Sequence, residues 1–360
     1  MIRYFLHRVG YGILVLAGIA IILGLLFFTY LNNNNQAIYE MTGQNTSAAE
    51  IERIRDEYHM NKPVLIQLAL YLNDLSPLAY HSHSPNSNLY FKPDSYHGFR
   101  IIPIGNQEGF FLKAPYLRRS YQTQALVGST LLQCLPGTLI LALSAMILAS
   151  ILGIFFGIVS TWTYGRWPDK FLLFISTLGM SLPSFFIAIV FSWLFGYVWH
   201  AHTGLNPWGN LFVIDDYTGQ SNIVLKNLIL PSVTLGIRPL AVIMQLTRNN
   251  LYDVMSSDYI RTARSKGLGT ISVILKHALR NALNPVITAI SGWLGSLLAG
   301  AVFVEYIFGW RGLGREMVNG LQKLDYPVVM GSILTIATMF VLINLLVDLL
   351  YGVMDPRIRR

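Results

Sequence analysis

From Ser120 to Gly165 the chain runs without a single Asp, Glu, Lys, Arg or His. About 20 apolar residues suffice for a helix to cross the hydrocarbon core of a bilayer, so this stretch holds a whole crossing and an approach to it. Five further runs are nearly as clean: Val9–Tyr39, Phe171–Trp199, Asn227–Thr247 (interrupted only by Arg238), Asn281–Val304 and Tyr326–Val347. The first helix is expected to end near Leu31, where Asn32 to Asn35 begin, and the second to occupy about Pro136 to Trp162. Hydrophobic residues make up 53% of the 360 and charged residues only 12%, about half the usual charged share. That balance excludes an ordinary soluble enzyme and a disordered chain. The expected fold is all-α: a polytopic membrane protein with six transmembrane helices and both termini on one side. The first run is too long for the apolar part of a signal peptide and lacks a small-x-small cleavage site, so it reads as an anchor.

Charge placement predicts which side that is. Arg3 and Arg8 precede the first span, Arg166 and Lys170 sit in the short second loop, and Arg357, Arg359 and Arg360 end the chain. The fourth loop holds Arg248, Arg261, Arg264, Lys266, Lys276 and Arg280. These segments alternate as cytoplasmic loops should under the positive-inside rule. The net charge of +8 is thus explained by topology rather than by nucleic-acid binding. Cys134 is the only cysteine, which excludes an internal disulfide and a cysteine-based metal cage.

Between the first anchor (1–31) and the remaining spans (120–360) lies a large external insertion, 32–119. Ser47 with Glu50 reads as a capping box for a helix carrying Ile51, Ile54 and Tyr58. Pro63 starts a second helix, with Leu65, Leu68 and Leu72 as its apolar stripe. Residues 76–113, rich in Ser, Asn, Pro, Gly and Tyr, read as loop or short strands. The pair His81 and His83 has no third ligand nearby and reads as two solvated histidines, not a metal site.

The fourth loop, 248–284, is the most informative segment. Ser257 is placed to cap a short helix that begins at Asp258, has Arg264 and Lys266 in its last turn and ends at Gly267. Ile271, Ile274, Leu275 and Ala278 follow as a second amphipathic stripe, and Pro285 opens the next span. A helix resting on anionic lipid would explain the basic residues but not the compact helix–glycine–helix design. Small residues at the tip (Ala263, Ser265, Gly267) suit the close approach of another backbone.

Here the sequence resembles a family: the permease subunits of the dipeptide, oligopeptide and nickel importers driven by ATP-binding-cassette proteins. In the common form of the permease signature loop, Glu-Ala-Ala stands where this chain has Arg261-Thr262-Ala263, four residues before the glycine at Gly267. The departure is the one usual in the peptide branch, with its Arg-Thr-Ala-Arg-x-Lys-Gly-Leu stretch, here Arg261 to Leu268, and its His-Ala-Leu-Arg-Asn-Ala stretch, here His277 to Ala282. Ser181-Leu-Pro-Ser184, Gly300 to Glu305, Gly309 to Gly314, Asp325 to Val328, Asn344 to Asp348 and Asp355 to Arg359 extend the likeness. It covers 1–31, 47–75 and 115–360. The resemblance implies one permease that pairs with a second permease, two cytoplasmic ATPases and an external solute-binding protein. The loop residues Asp258, Arg261, Ala263, Arg264, Lys266, Gly267 and Leu268 would seat on an ATPase. ATP and magnesium would be used by those partners and no cofactor or metal by this chain, which has no Gly-Lys dipeptide and so no phosphate loop of the Walker type. Nickel chelates or another small peptide-like solute remain open as cargo, as does an ion-driven transporter.

Several polar residues fall at membrane depth. Arg238 lies about 16 Å along its helix from Asn227, where a charge costs at least about 2.5 kcal/mol unless it meets water or a partner. It reads either as a pathway cation that meets a peptide carboxylate or as half of a buried pair with Glu305 or Asp348. Ser181, Ser184, Asn344 and Asp348 are further pathway candidates. Glu305 either holds the Gly309–Gly314 loop or forms part of an external gate. Gly153 and Gly157 make a small-residue face for close helix packing.

Overall fold

The computed structural model describes residues 2–33, 36, 38–39, 47–84, 87, 89–91, 96–104, 107–214 and 219–354. The C-terminal motif Asp355 to Arg359 and the terminal arginines lie outside the described residues. Five helices are long and apolar enough to cross a membrane, and a sixth crossing is made if a sharply bent pair counts as one span. The chain forms two compact units: Met1–Leu135 with Glu316–Thr338, and Pro136–Arg315 with Met339–Arg360.

The first unit is built around α1 (Ile2–Asn33). The external helices α2 (Ala48–Glu57) and α3 (Val64–Leu75) lie where the sequence places them. Ser47 accepts the Glu50 N–H, but the Glu50 carboxylate turns to Arg53 at 2.7 Å instead of closing the capping box. α3 packs on α1 through a close approach at Gly24, where a Cβ would stand 2.6 Å from Leu68. Phe28 meets the Tyr71 ring edge-on at 5.7 Å. Arg118 joins this core with its guanidinium over both rings and its Nε 3.0 Å from Asp74. Burial works against its charge, and Asp74 beside it more than restores the charged form. Asp325 fixes the strap that precedes the second span, accepting from the Ser120 hydroxyl at 2.5 Å and the Tyr121 N–H at 3.0 Å.

Residues 76–113 fold as a three-stranded antiparallel sheet, β1 (Leu78–Ser82), β2 (Gly98–Ile104) and β3 (Glu108–Lys113), in the order β1-β3-β2. His81 is not solvated, contrary to the sequence expectation. Alternation along β1 turns it inward with Ala79, and the rings of Phe91, Tyr96 and Phe111 surround it within 5.8 Å. His83, on the following turn, is exposed.

The second unit centres on α7 (Lys226–Met255). The long α4 (Val127–Trp162), which begins well before Pro136, runs into this unit and meets α7 through its glycines. A Cβ on Gly153 would stand 2.8 Å from Ile243, and one on Gly157 would stand 2.5 Å from Thr247. The stretch expected as one straight third span is instead two helices, α5 (Trp167–Ser181) and α6 (Ser184–Phe191), the latter continuing as a π-turn over Ser192–Val198. They are bent by 109° at Leu182-Pro183. Pro183 has no N–H to continue α5 and pushes Leu182 into an extended conformation. Beyond α7 come α8 (Asp258–Ser265) and α9 (Leu279–Ile307); α10 (Leu313–Gln322) and α11 (Tyr326–Met354) follow, with Glu316–Thr338 counted in the first unit and the chain from Met339 in the second. Pro285 does not open the fifth span. A short turn, Thr270–Val273, and a π-turn, Ile274–Ala278, run continuously into α9, so the proline lies inside a helix already under way.

Candidate functional site

The fourth loop forms a knob packed on the span ends rather than a flat surface helix. Gly267 ends α8 in the left-handed region at φ +77°, the conformation a C-terminal glycine supplies. Its N–H returns to the Arg264 carbonyl at 2.9 Å. Ser257 has the extended backbone of an N-cap, but its hydroxyl donates to the Val254 carbonyl instead of accepting from the helix. Ile260 and Ala263 turn inward. They belong to one apolar core with Leu251 of α7 and with Val273, Ile274, Ala278 and Ala282 on the way into α9. The expected place of Ala263 at the tip is therefore wrong, because in a helix it shares a face with Ile260, three residues before it. Asp258, Arg261, Arg264, Lys266, Gly267 and Leu268 are all exposed, and space around Gly267 is open. Leu268, Ile271 and Leu275 add apolar surface beside the charged face.

A second feature, missed by sequence reasoning, braces the same end of the unit. Asp169, in the first turn of α5, pairs with Arg248 of α7. The signal available was an acidic residue directly after Pro168 at a helix start, where the dipole favours it. This pair places the second and fourth loops at one end, as the charge pattern requires.

The membrane-depth residues separate into groups. Arg238 is exposed on α7, and no carboxylate pairs with it among the described residues. The expected buried pair with Glu305 or Asp348 is not formed. Ser181 is exposed and Ser184 half-buried, on either side of the break between α5 and α6. Asn344 and Asp348 are half-buried on α11, and Gly295 of α9 leaves room for Phe340 and Asn344.

Glu305 is fully buried. Its Oε2 accepts the N–H groups of Gly314 and Arg315 at 2.7 and 3.2 Å, so it holds the Gly309–Gly314 loop and caps α10. The loop is pressed tightly inward: the Trp310 indole donates to the Gly137 carbonyl at 2.9 Å, and a Cβ on Gly312 would fall 2.4 Å from the carboxylate.

A family model described as "Binding-protein-dependent transport system inner membrane component" matches residues 149–360. The dipeptide transport system permease protein DppB of Alkalihalophilus pseudofirmus is 34% identical over 375 residues, spanning 100% of both chains. DppB of Escherichia coli K12 is 41% identical over 238 residues, 62% of this chain and 70% of that protein. The glutathione transport system permease protein GsiC of Shigella flexneri is 40% identical over 226 residues, 62% of this chain and 68% of that protein.

Proposed function

Because this chain belongs to the family of binding-protein-dependent transport system inner membrane components, we propose that it is one permease subunit of an ATP-driven importer of di- and oligopeptides. Relatives named for dipeptides and for the tripeptide glutathione support that cargo. The chain crosses the cytoplasmic membrane six times, α5 and α6 together making the third crossing, with both termini inside and the insertion 32–119 outside. It hydrolyses nothing. A second permease completes the pathway, two ATPases bind at the cytoplasmic face, and an external binding protein delivers the solute.

The observation that carries this reading is the seating of α8. A helix lying on lipid would turn its apolar face to the membrane. Here Ile260 and Ala263 are buried against the ends of two spans, and Asp258, Arg261, Arg264, Lys266 and Leu268 face outward. ATP-driven closure of the ATPases displaces this knob and shifts the spans between inward- and outward-open arrangements. Ser181, Ser184, Asn344 and Asp348 flank the route of the solute, and the loop held by Glu305 closes its outer end.

The test is co-purification in mild detergent of the native chain and of Arg264→Glu with Leu268→Asp, two exposed positions whose change leaves the core intact. Recovery of an ATPase with the native chain and its loss with the double variant supports the reading. Equal recovery with both, or with neither, removes α8 as the ATPase contact.

A further inference from the structure

Arg238 is a cation with no counter-ion among the described residues, inside an apolar helix and at a point where the neighbouring span is broken. α5 runs antiparallel to α7. Its Asp169 meets Arg248, and the Ser176 hydroxyl accepts from Gln245 at 3.0 Å. Its Gly179 receives Ile237, with a Cβ there 2.7 Å from Ile237 Cγ2. Arg238 therefore stands level with the last turn of α5 and with the Leu182-Pro183 break. On that turn Thr177 and Ser181 are exposed, as is Arg238 itself. Val242 and Gln245 continue the Arg238 face toward the cytoplasmic end.

Three carboxylates of this unit are engaged elsewhere. Asp169 holds Arg248, Asp258 lies 3.5 Å from Arg261, and Glu305 holds backbone N–H groups. A guanidinium at mid-bilayer without a protein anion is tolerated only where water or an anionic ligand reaches it. Arginine is also the side chain whose planar fork matches a carboxylate at two points.

We propose that Arg238 is a specificity-determining residue that receives the terminal α-carboxylate of the peptide as it passes the break between α5 and α6. The proposal rests on the peptide-importer reading and narrows it to solutes with a free C-terminal carboxylate. The Thr177 and Ser181 hydroxyls on the same level donate to the Leu173 and Thr177 carbonyls, so the guanidinium alone carries the contact to the carboxylate.

The experiment uses the whole transporter with its ATPases and binding protein in proteoliposomes. Uptake of labelled Ala-Phe and of its C-terminal amide is measured at concentrations that saturate the binding protein with each. With Arg238→Gln, uptake of the free acid falls at least tenfold while the amide stays within twofold of native, and Arg238→Lys restores much of the acid uptake. Subunit recovery stays at native levels in both variants, so a fall in uptake is not a loss of assembly. A parallel fall for both peptides overturns the proposal and makes Arg238 a partner of the second permease. Unchanged uptake of both overturns it as well. If the native transporter moves neither peptide while its ATPases co-purify, the peptide reading itself fails, and this proposal with it.

Discussion

Arg248 grips Asp169 with both prongs of its guanidinium, Nε 2.7 Å from Oδ1 and Nη2 2.9 Å from Oδ2. The carboxylate also accepts from the Ser160 hydroxyl and from the Gly165 N–H at 2.9 Å. The guanidinium lies over the Tyr164 ring, which stacks on Tyr252 at 4.4 Å. The end of α4 and the start of α5, neighbours in sequence, are held at this one point to the end of α7, far along the chain.

Removing the acid leaves a largely buried cation without its partner. Asp169→Asn is expected to lower stability by about 3 kcal/mol, read as a fall in the thermal midpoint of the detergent-solubilised chain. Arg248→Lys keeps the charge but loses the two-point geometry, and its midpoint falls between those of Asp169→Asn and the native chain. A midpoint for Asp169→Asn within a degree of native would show the pair to be incidental.

Gly137 has no room for a side chain, since a Cβ there would stand 1.9 Å from the Arg311 carbonyl oxygen. Gly137→Ala forces α4 away from the Trp310 loop and is expected to abolish recovery of folded protein. Gly128→Ala, on the same helix and in open space, should cost nothing measurable by the same recovery assay.

At the knob, neighbouring positions should behave in opposite ways. Ala263→Leu overfills a closed core and costs about 1–3 kcal/mol, lowering the thermal midpoint whether or not an ATPase is present. Arg264→Ala changes stability by no more than about 0.5 kcal/mol and shows its effect only in ATPase recovery and in transport-coupled hydrolysis.

The insertion should respond to alkaline pH. Burial pushes the Lys113 ammonium down to about 8 from its ordinary 10.5, with Asp74 opposing the shift. Between those values the unfolded chain keeps a proton that the folded chain has released, so stability rises with pH across that window. Burial holds the hydroxyls of Tyr71 and Tyr96 above their ordinary range. Above about pH 10 the unfolded chain therefore ionises first and stability falls again. Lys113→Met should remove the rising limb and keep the falling one, as followed by thermal midpoints from pH 7 to pH 11.

Much of this architecture is legible in the sequence because hydropathy marks span existence well. The runs around α1, α4, α9 and α11, the external helices and the Gly153/Gly157 contact are all visible there. The break at Pro183 is not. Pro136, Pro231, Pro239 and Pro285 also lie inside apolar stretches, and each sits within a continuous helix. A proline alone does not tell which helix will break, since neighbouring helices can accommodate the carbonyl it frees. Ala263 was ambiguous for a different reason. A small residue serves equally at a contact tip and in a tight core, and the nearby Ile260 was the clue to its face. His81 was hidden because a strand of five residues offers too little alternation to orient a polar side chain. Arg238 stood out in sequence as a charge among apolar residues, but only the structure separates it from Glu305.

The two parts of the knob differ in how they are packed. Ile260 and Ala263 are locked into close-packed contact with the lower ends of both α7 and α9, and such packing passes on displacement instead of absorbing it. The Gly267-Leu268-Gly269 connector has no such packing at its glycines, where a Cβ would meet nothing within 4 Å. Under the proposed function, a push on α8 would meet α7 and α9 together, because all three share this one core.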